Sequence, residues 1–211
     1  MTLAGVDEVG CGAVAGPIIA VCVAIEAPVT EGELAGWWPV SEIRESKETT
    51  AAWRRAHKER VFAVIDELGA RVGTGVSPAA LINTIGHQTA WDRALTEATR
   101  QVREEVRVDL LIVDGSRGVV GYPWRQRIEP KADENYFVVA AASLLAKIIR
   151  DDMMADMARL HPSYGWGENK GYATPEHQAA ILAHGLSPEH RRKACRTLMR
   201  DRSPGRRPRG F

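Results

Sequence analysis

The sequence predicts an α/β fold, in which helices flank a mixed β-sheet and a helical part follows at the C-terminus. Residues 3–7 and 17–25 are apolar runs rich in Val, Ile and Ala, and such continuous hydrophobicity is typical of strands buried on both faces. The Gly-rich turn between them is too short for a parallel crossover, so we expect an antiparallel pair. Residues 136–160 predict a long helix that is apolar, and so buried, through most of its first half.

The remaining elements follow from periodicity and from capping residues. Helical spacing of apolar residues ends at a glycine, short apolar runs end in turn residues, and Ser-Pro or Thr-Pro pairs open helices. In chain order we expect a loop with one short element over 26–49, a helix over 50–69, a strand over 70–76, helices from Ser77-Pro78 to about residue 105 with a break at Gly86, strands at 108–115 and 127–131, the long helix, and C-terminal helices opened by Thr174-Pro175 and Ser187-Pro188.

Length and charge indicate one domain with a basic end. The chain has 211 residues and is 45% hydrophobic, which suits a single catalytic domain over 1–200. The Pro/Gly/Arg-rich residues 201–211 predict a basic, disordered tail. Residues 187–211 hold nine basic and two acidic side chains, a charge of +7, whereas the other residues hold 19 basic and 25 acidic side chains, a charge of −6. This separation favours a polyanionic partner, although a solvated basic tail would look the same.

Cysteine usage and apolar runs indicate the compartment. Cys11, Cys22 and Cys195 lack the spacing of a metal site, and an odd number of cysteines predicts reduced thiols. The chain starts without a basic and apolar leader. It also lacks a run of the roughly 18 apolar residues that a membrane span needs. We therefore expect a cytoplasmic monomer with no membrane association.

Four acidic residues lie where an apolar element begins or ends. Asp7 and Glu8 end the first strand, Asp114 ends the run LLIVD, and Asp133 precedes the long helix. For a single acid, a strand-end cap or an ion pair is the more common explanation. Loops beyond strand ends form the usual site of an α/β sheet, and carboxylates that converge there make an oxygen-only site suited to Mg²⁺ or Mn²⁺. Such a site can hold two ions for phosphodiester displacement.

Seven motifs occur in an order that resembles one known family. They are GVDEVGCGAVAGP at 5–17, ESK at 45–47, LIVDG at 111–115, KAD at 131–133, VVAAASLLAKIIRD at 138–151, HPSYGWGENKGYATPEH at 161–177 and HGLSPEHRR at 184–192. Together they resemble ribonuclease HII, the type 2 ribonuclease H family, from residue 3 to about residue 193. The resemblance implies a ribonuclease H-like mixed sheet flanked by helices.

The resemblance also implies an activity and a set of site residues. The activity is hydrolysis of the RNA strand of RNA/DNA hybrids, and incision 5′ of a ribonucleotide embedded in duplex DNA, leaving 3′-OH and 5′-phosphate ends. The four metal-binding and catalytic acids of the family fall on Asp7, Glu8, Asp114 and Asp133. Substrate contacts are implied for Gly10, Cys11, Gly12, Lys47, Lys147, Tyr172 and Arg191. The backbone of the Gly10–Gly12 turn comes close to the ribose 2′-OH, and Tyr172 packs on the sugar at the RNA–DNA junction.

One departure from the family pattern falls inside the substrate site. The family usually has arginine where this chain has Cys11, and cysteine cannot replace an arginine fork on a phosphate. We expect retained catalysis with altered junction recognition. Two alternatives stay open at this point: a catalytically weak RNA/DNA-binding protein with this fold, and another ribonuclease H-like nuclease such as a junction resolvase.

Overall fold

A five-stranded mixed sheet forms the centre of the molecule. The computed structural model describes residues 1–39, 43 and 50–201. The sheet order is β3-β2-β1-β4-β5; β1–β2 and β2–β3 are antiparallel, whereas β1–β4 and β4–β5 are parallel. The strands are β1 (Thr2–Val9), β2 (Ile18–Glu26), β3 (Arg71–Ser77), β4 (Leu110–Asp114) and β5 (Gln126–Glu129). The predicted mixed sheet and the antiparallel first pair are confirmed.

Helices cover both faces of this sheet and continue beyond it. Two 3₁₀ turns, Glu31–Gly36 and Pro162–Tyr164, supplement them. The α-helices are α1 (Ala51–Glu67), α2 (Ala79–Ile85), α3 (His87–Glu105), α4 (Ala132–Asn135), α5 (Phe137–Leu160), α6 (Trp166–Asn169), α7 (Pro175–His184) and α8 (Arg192–Asp201).

Glycines let two helices approach the sheet closely. A Cβ on Gly5 of β1 would lie 2.5 Å from the backbone of Val138 in α5. A Cβ on Gly75 of β3 would collide with the carbonyl oxygen of Ala94 in α3. The long apolar helix α5 therefore packs on one face of β1 and β2, and α3 packs on the other face. The two sides form separate apolar clusters, of which the α5 side also takes up α1.

The C-terminal helices form a third apolar cluster around Trp166, which is fully buried. The ring of Tyr164 stacks on it with centroids 5.1 Å apart. Val14 and Ala15, from the turn after β1, belong to the same cluster. The turn that carries the glycines is therefore held between the sheet and the C-terminal helices.

Two predicted helix starts need correction. Ser77 ends β3 and donates its hydroxyl to the carbonyl of Ala90, so α2 begins after Pro78 rather than at Ser77-Pro78. The expected helix at Ser187-Pro188 is wrong, because these residues form a turn. The next residues pair with the glycine turn instead: His190 forms a bridge to Ala15. The α8 helix starts only at Arg192.

The other expected boundaries that fall on described residues agree with the structure to within about two residues. Gly86 separates α2 from α3, and the Thr174 side chain caps α7, which ends at Gly185. Within the described residues, no helix has the length and apolarity that crossing a bilayer requires. Residues 202–211 and the motif ESK with Lys47 lie outside the described residues, and the division into one domain and a tail stays a prediction.

Candidate active site

The parallel pairing of β1 and β4 brings the first acids together. In this register Val6 lies opposite Val113, so Asp7 and Asp114 follow side by side at the carboxyl ends of neighbouring strands. Asp7 and Glu8 are consecutive strand residues and therefore project to opposite faces of the sheet. The acidic edge thus spans the thickness of the sheet, with Asp7 on the α5 side and Glu8 on the α3 side.

Asp7 is a buried carboxylate with polar support. Only 8% of the residue is exposed. One carboxylate oxygen accepts the backbone N–H of Glu8 at 2.7 Å, and the Ser143 hydroxyl on α5 lies near enough to favour the charged form of Asp7. Burial, followed by the charges of Glu8 and Asp114, raises the pKa of Asp7 to about 7. A carboxyl group in this environment gains most from a bound cation.

Glu8 has its hydrogen-bond partners on the other side of the sheet. The Cys11 thiol donates to its carboxylate at 3.7 Å, and the Trp91 side chain on α3 lies near enough to favour the charged form of Glu8. Burial raises the pKa of Glu8, and the charge of Asp114 raises it further. The sequence holds no signal for this position of Trp91, because its place on a helical run does not show which strand residue it lies beside.

Asp114 connects the strand edge to the segment that carries Asp133. Its carboxylate accepts the backbone N–H of Ala132 at 2.7 Å, which places Asp133 next to it in α4. Burial raises the pKa of Asp114, and the negative charge of Asp133 adds to this effect. Asp133 is the second residue of the short helix α4, which precedes α5.

The chemistry of this acidic edge suits a hard divalent cation. Asp7, Glu8 and Asp114 form no ion pair with a described residue. Their pKa values are raised by burial and by one another. Among the described residues, no three His, Cys, Asp or Glu side chains are yet close enough to form a complete ligand set. The side chains of Asp7, Glu8 and Asp114 offer only oxygen donors, which Mg²⁺ and Mn²⁺ prefer.

The glycine turn lies directly beside the acids. Gly10 has a φ of 90°, and a Cβ there would collide with the Arg150 side chain. The carbonyl of Cys11 is held from two sides, by Nη1 of Arg191 at 3.1 Å and by Nε2 of His87 at 3.0 Å. Burial and the charge of Glu8 raise the pKa of the Cys11 thiol to about 12, so the thiol is protonated at neutral pH.

Helix α5 lines the site along its length. From its N-terminus onward, Ser143 contacts Asp7, the half-buried Lys147 lies one turn further, and buried Arg150 donates to the carbonyl of Pro17 at 3.1 Å. The Arg150 guanidinium lies over the Tyr172 ring, 5.4 Å from its centroid. Tyr172 is 40% exposed and faces Gly12. The predicted positions Lys147, Gly12 and Tyr172 therefore share one side of the molecule.

A basic groove opens beside the turn. It has a volume of about 1040 Å³ and lies between the Gly10–Ala13 turn, the α2–α3 junction and the start of α8. Arg191 is only 3% exposed and donates to the carbonyls of Gly16 and Cys11, whereas its Nη2 has no partner among the described residues. The side chains that line the groove include His87, Arg191, Arg192, Lys193 and Arg196.

The structure therefore brings most predicted residues to one region. Asp7, Glu8, Asp114 and Asp133 follow one edge, and the turn, Tyr172 and Arg191 adjoin it. The residues that the sequence did not reveal are Trp91, His87 and Arg150. The sequence signal for Arg150 is its place at the end of the apolar half of α5, since a buried arginine must have partners.

A five-stranded mixed sheet with helices on both faces is the arrangement of the ribonuclease H-like fold. The ribonuclease H2 of Pyrococcus horikoshii OT3 superposes with a TM-score of 0.68 at 21% identity, over 95% of this chain and 98% of that one. The family model described as Ribonuclease HII matches residues 4–200. The chain belongs to the ribonuclease HII family, and it is an endoribonuclease of the ribonuclease H type.

Two relatives show the same family over most of their length. The ribonuclease HII of Granulibacter bethesdensis is 38% identical over 191 residues, which cover 90% of this chain and 81% of the relative. The ribonuclease HII of Thermosynechococcus vestitus is 35% identical over 195 residues, which cover 92% and 84%. Dependence on a divalent metal is typical of this family.

Proposed function

We propose that this protein hydrolyses the RNA strand of RNA/DNA hybrids and incises duplex DNA on the 5′ side of an embedded ribonucleotide, leaving 3′-OH and 5′-phosphate ends. The observation that supports this most directly is the acidic edge. Three carboxylates without a basic partner among the described residues lie at the ends of two parallel strands, next to a glycine turn and a basic groove. A role in ribonucleotide removal during DNA replication and repair, in the cytoplasm and as a monomer, would follow.

We assign Asp7, Glu8, Asp114 and Asp133 as the residues that hold Mg²⁺ or Mn²⁺. Two such ions, when bound, would activate the attacking water and stabilise the leaving oxygen. The protein itself fixes the geometry. The Ser143 hydroxyl and the Glu8 N–H orient the Asp7 carboxylate, Trp91 orients Glu8, and the Ala132 N–H orients Asp114.

The residues around the acids would select and align the strand. The backbone of Gly10–Gly12 has no bulky side chain between its amides and the 2′-OH, the group that distinguishes RNA from DNA. The exposed Tyr172 ring lies where a sugar would pack. We assign Arg191 and Lys147 to phosphate contacts, and Lys47 is assigned the same role from its motif alone.

Cleavage of duplex DNA that carries one ribonucleotide tests this function. With Mg²⁺ or Mn²⁺ we expect incision 5′ of the ribonucleotide, and the ends can be mapped by ligation and by phosphatase treatment. Asp7→Asn should abolish the cleavage, because it removes one negative ligand while keeping the size of the side chain and its hydrogen-bond acceptor. Arg60→Ala, which affects an exposed pair with Glu67, serves as the control variant.

Three outcomes would contradict the proposal in different ways. Binding without cleavage in either metal would favour a catalytically weak RNA/DNA-binding protein. Cleavage of all-DNA junctions would favour a junction resolvase. Cleavage that persists in Asp7→Asn would place the catalytic acids elsewhere.

A further inference from the structure

Two fully buried histidines lie behind the substrate site, and the proposed mechanism does not use them. His177 belongs to the first turn of α7, and His190 lies in the turn before α8. Both residues are 0% exposed. Their Nε2 atoms are 3.2 Å apart, so one ring must donate a hydrogen bond to the other.

The partners of His177 define where its proton is. Its Nδ1 lies 2.7 Å from the carbonyl oxygen of Tyr172, which can only accept, so Nδ1 carries the hydrogen. The indole N–H of Trp166 points at its Nε2 from 2.9 Å, and an indole N–H can only donate. His177 is therefore neutral, with its proton on Nδ1.

The partners of His190 define the opposite tautomer. Its Nδ1 accepts the backbone N–H of Ser187 at 2.9 Å. In a neutral ring the hydrogen then lies on Nε2, which donates to Nε2 of His177. A directed series of hydrogen bonds thus runs from the Ser187 N–H through His190 and His177 to the carbonyl of Tyr172. If Nε2 of His177 also carried a proton, three donors would point at one another with no acceptor: this Nε2–H, the Trp166 indole N–H and the His190 Nε2–H.

Both ends of this series of hydrogen bonds adjoin the glycine turn and the segment that carries Tyr172, which form the proposed substrate site. At one end, His190 forms a β-bridge with Ala15 of the glycine turn, and the N–H of Arg191 donates to the carbonyl of Val14 at 2.8 Å. At the other end, the carbonyl of Gly171 accepts the N–H groups of Val14 and Ala15 at 2.9 and 3.1 Å. The Tyr172 ring extends from this junction towards solvent.

We propose that His177 is a positioning residue for substrate recognition: its Nδ1–H fixes the carbonyl of Tyr172, and thereby the place where the tyrosine ring meets the sugar. Trp166 and His190 keep His177 in the tautomer that this requires. The inference rests on the proposed role of Tyr172. It adds a buried residue, remote from solvent, that acts only through that tyrosine.

Burial agrees with a neutral pair. It lowers the pKa of His177, and it lowers the pKa of His190 to about 4, where the charges of His177 and His161 act in the same direction. Both rings therefore stay neutral at physiological pH. The rings of Tyr164 and Trp166 also lie against His190, with centroid distances of 4.7 Å and 5.3 Å.

Two substitutions of similar size separate the two halves of the His177 ring. In His177→Asn the amide nitrogen takes the place of Nδ1 and still donates to the carbonyl of Tyr172. In His177→Gln the amide lies near the Nε2 position, so the contacts to Trp166 and His190 are kept and the donor to Tyr172 is lost. We expect His177→Gln to raise KM for the ribonucleotide-containing duplex about fivefold with kcat within about twofold, and His177→Asn to restore most of this loss.

A double-mutant cycle tests whether His177 acts through Tyr172. In the Tyr172→Ala background, His177→Gln should change KM by less than about twofold. Additive effects would overturn the inference while leaving the role of Tyr172 intact. If Tyr172→Ala itself leaves KM unchanged, the proposed sugar contact fails instead, and this inference fails with it. Urea unfolding of each variant identifies losses due to instability.

The wild-type protein offers a test that needs no variant. Histidine ring nitrogens labelled with ¹⁵N report the tautomer and charge of each imidazole by NMR. At pH 7 we expect His177 as the neutral Nδ1–H form and His190 as the neutral Nε2–H form. A protonated ring at either position, or the Nε2–H tautomer at His177, would overturn the inference.

Discussion

Cys11 stands where the sequence resemblance implies an arginine, and contacts from other elements hold its backbone. Its carbonyl is held by His87 and Arg191, and its thiol lies 3.7 Å from the Glu8 carboxylate. The turn is therefore held at its backbone carbonyl and does not need a charged side chain at position 11 for these contacts. What the site lacks is a cation that extends from the turn into the groove.

Restoring that cation should tighten substrate binding. We expect Cys11→Arg to lower KM for a ribonucleotide-containing duplex about tenfold, because a guanidinium can form charge-assisted hydrogen bonds with a phosphate. The effect on kcat should be small, since none of the four acids changes. Steady-state kinetics on the same duplex measures both constants.

The matched control for this change is Cys11→Ala, which removes the thiol without adding charge and should leave KM near the wild-type value. An unchanged KM in Cys11→Arg would mean that the missing arginine does not explain substrate affinity in this chain.

At the scale of elements, close packing of helices on the sheet depends on glycines in the strands. Gly5 admits the backbone of α5, and Gly75 admits that of α3. Asp7 lies on β1, which α5 covers. The close approach of α5 to β1 at Gly5 therefore also brings Ser143 near the Asp7 carboxylate. The sequence shows these glycines but not which helix lies above each.

Gly75→Ala should therefore destabilise the protein. Its Cβ would collide with the carbonyl oxygen of Ala94, a backbone atom of α3 that cannot move without shifting the helix. We expect a loss of about 1–3 kcal/mol in the free energy of unfolding, the usual cost of overpacking. Urea denaturation followed by circular dichroism gives this value.

Gly32→Ala is the comparison, since nothing lies within 4 Å of a Cβ at that position. It should change the free energy of unfolding by less than about 0.5 kcal/mol. Equal losses in the two variants would show that glycine flexibility, rather than helix packing, determines the effect.

His190, in the turn before α8, also makes the stability of the protein depend on pH. The pKa of His190 falls from 6.5 in the unfolded chain to about 4 in the fold. Between these values the unfolded chain binds a proton that the folded protein does not, so stability falls as the pH drops from about 6.5 towards 4. Above pH 6.5 this residue has no such effect.

Melting temperatures measured from pH 7.5 to pH 5 test this prediction. In His190→Gln the side chain does not titrate and keeps a donor near the Nε2 position, so its melting temperature should fall less steeply than that of the wild type. Parallel curves for the two proteins would assign the acid sensitivity to other groups.

At the scale of the whole molecule, charge separation orients the protein on a polyanion. The residues before 187 carry a net charge of −6, whereas residues 187–211 carry +7. Part of that positive charge lines the groove beside the acidic edge. Phosphates are therefore attracted to the side of the molecule where cleavage is proposed, and repelled by much of the remaining surface.

Removing residues 202–211 should weaken the dependence of binding on salt. The segment contains Arg202, Arg206, Arg207 and Arg209. If all four contact phosphates, the slope of log Kd against log salt should fall by up to about 3.6, at about 0.9 for each contact. Binding of an Asp7→Asn background to a ribonucleotide-containing duplex, measured at several salt concentrations, gives the slope.

An unchanged slope would show that the segment does not contact the duplex. Cleavage by the truncated protein at low salt should persist, because the acidic edge and the glycine turn remain.

The sequence by itself determined the order of the elements, the antiparallel first pair and the family. Each of these follows from local signals: apolar runs, a turn too short for a crossover, capping residues and motifs in order. The helix expected at Ser187-Pro188 failed because a local signal was outweighed by pairing of His190 with Ala15, which are far apart in the chain.

Only the tertiary structure decided which residues support the acids and the tyrosine. Trp91 of α3 lies beside Glu8 on one side of the sheet, and His87 reaches the carbonyl of Cys11. His177 is enclosed by Trp166, His190 and Tyr172. Such contacts depend on how helices lie on the sheet and on which groups burial leaves in need of partners. The spacing of residues in the sequence does not reveal these contacts, because the partners come from different helices and strands.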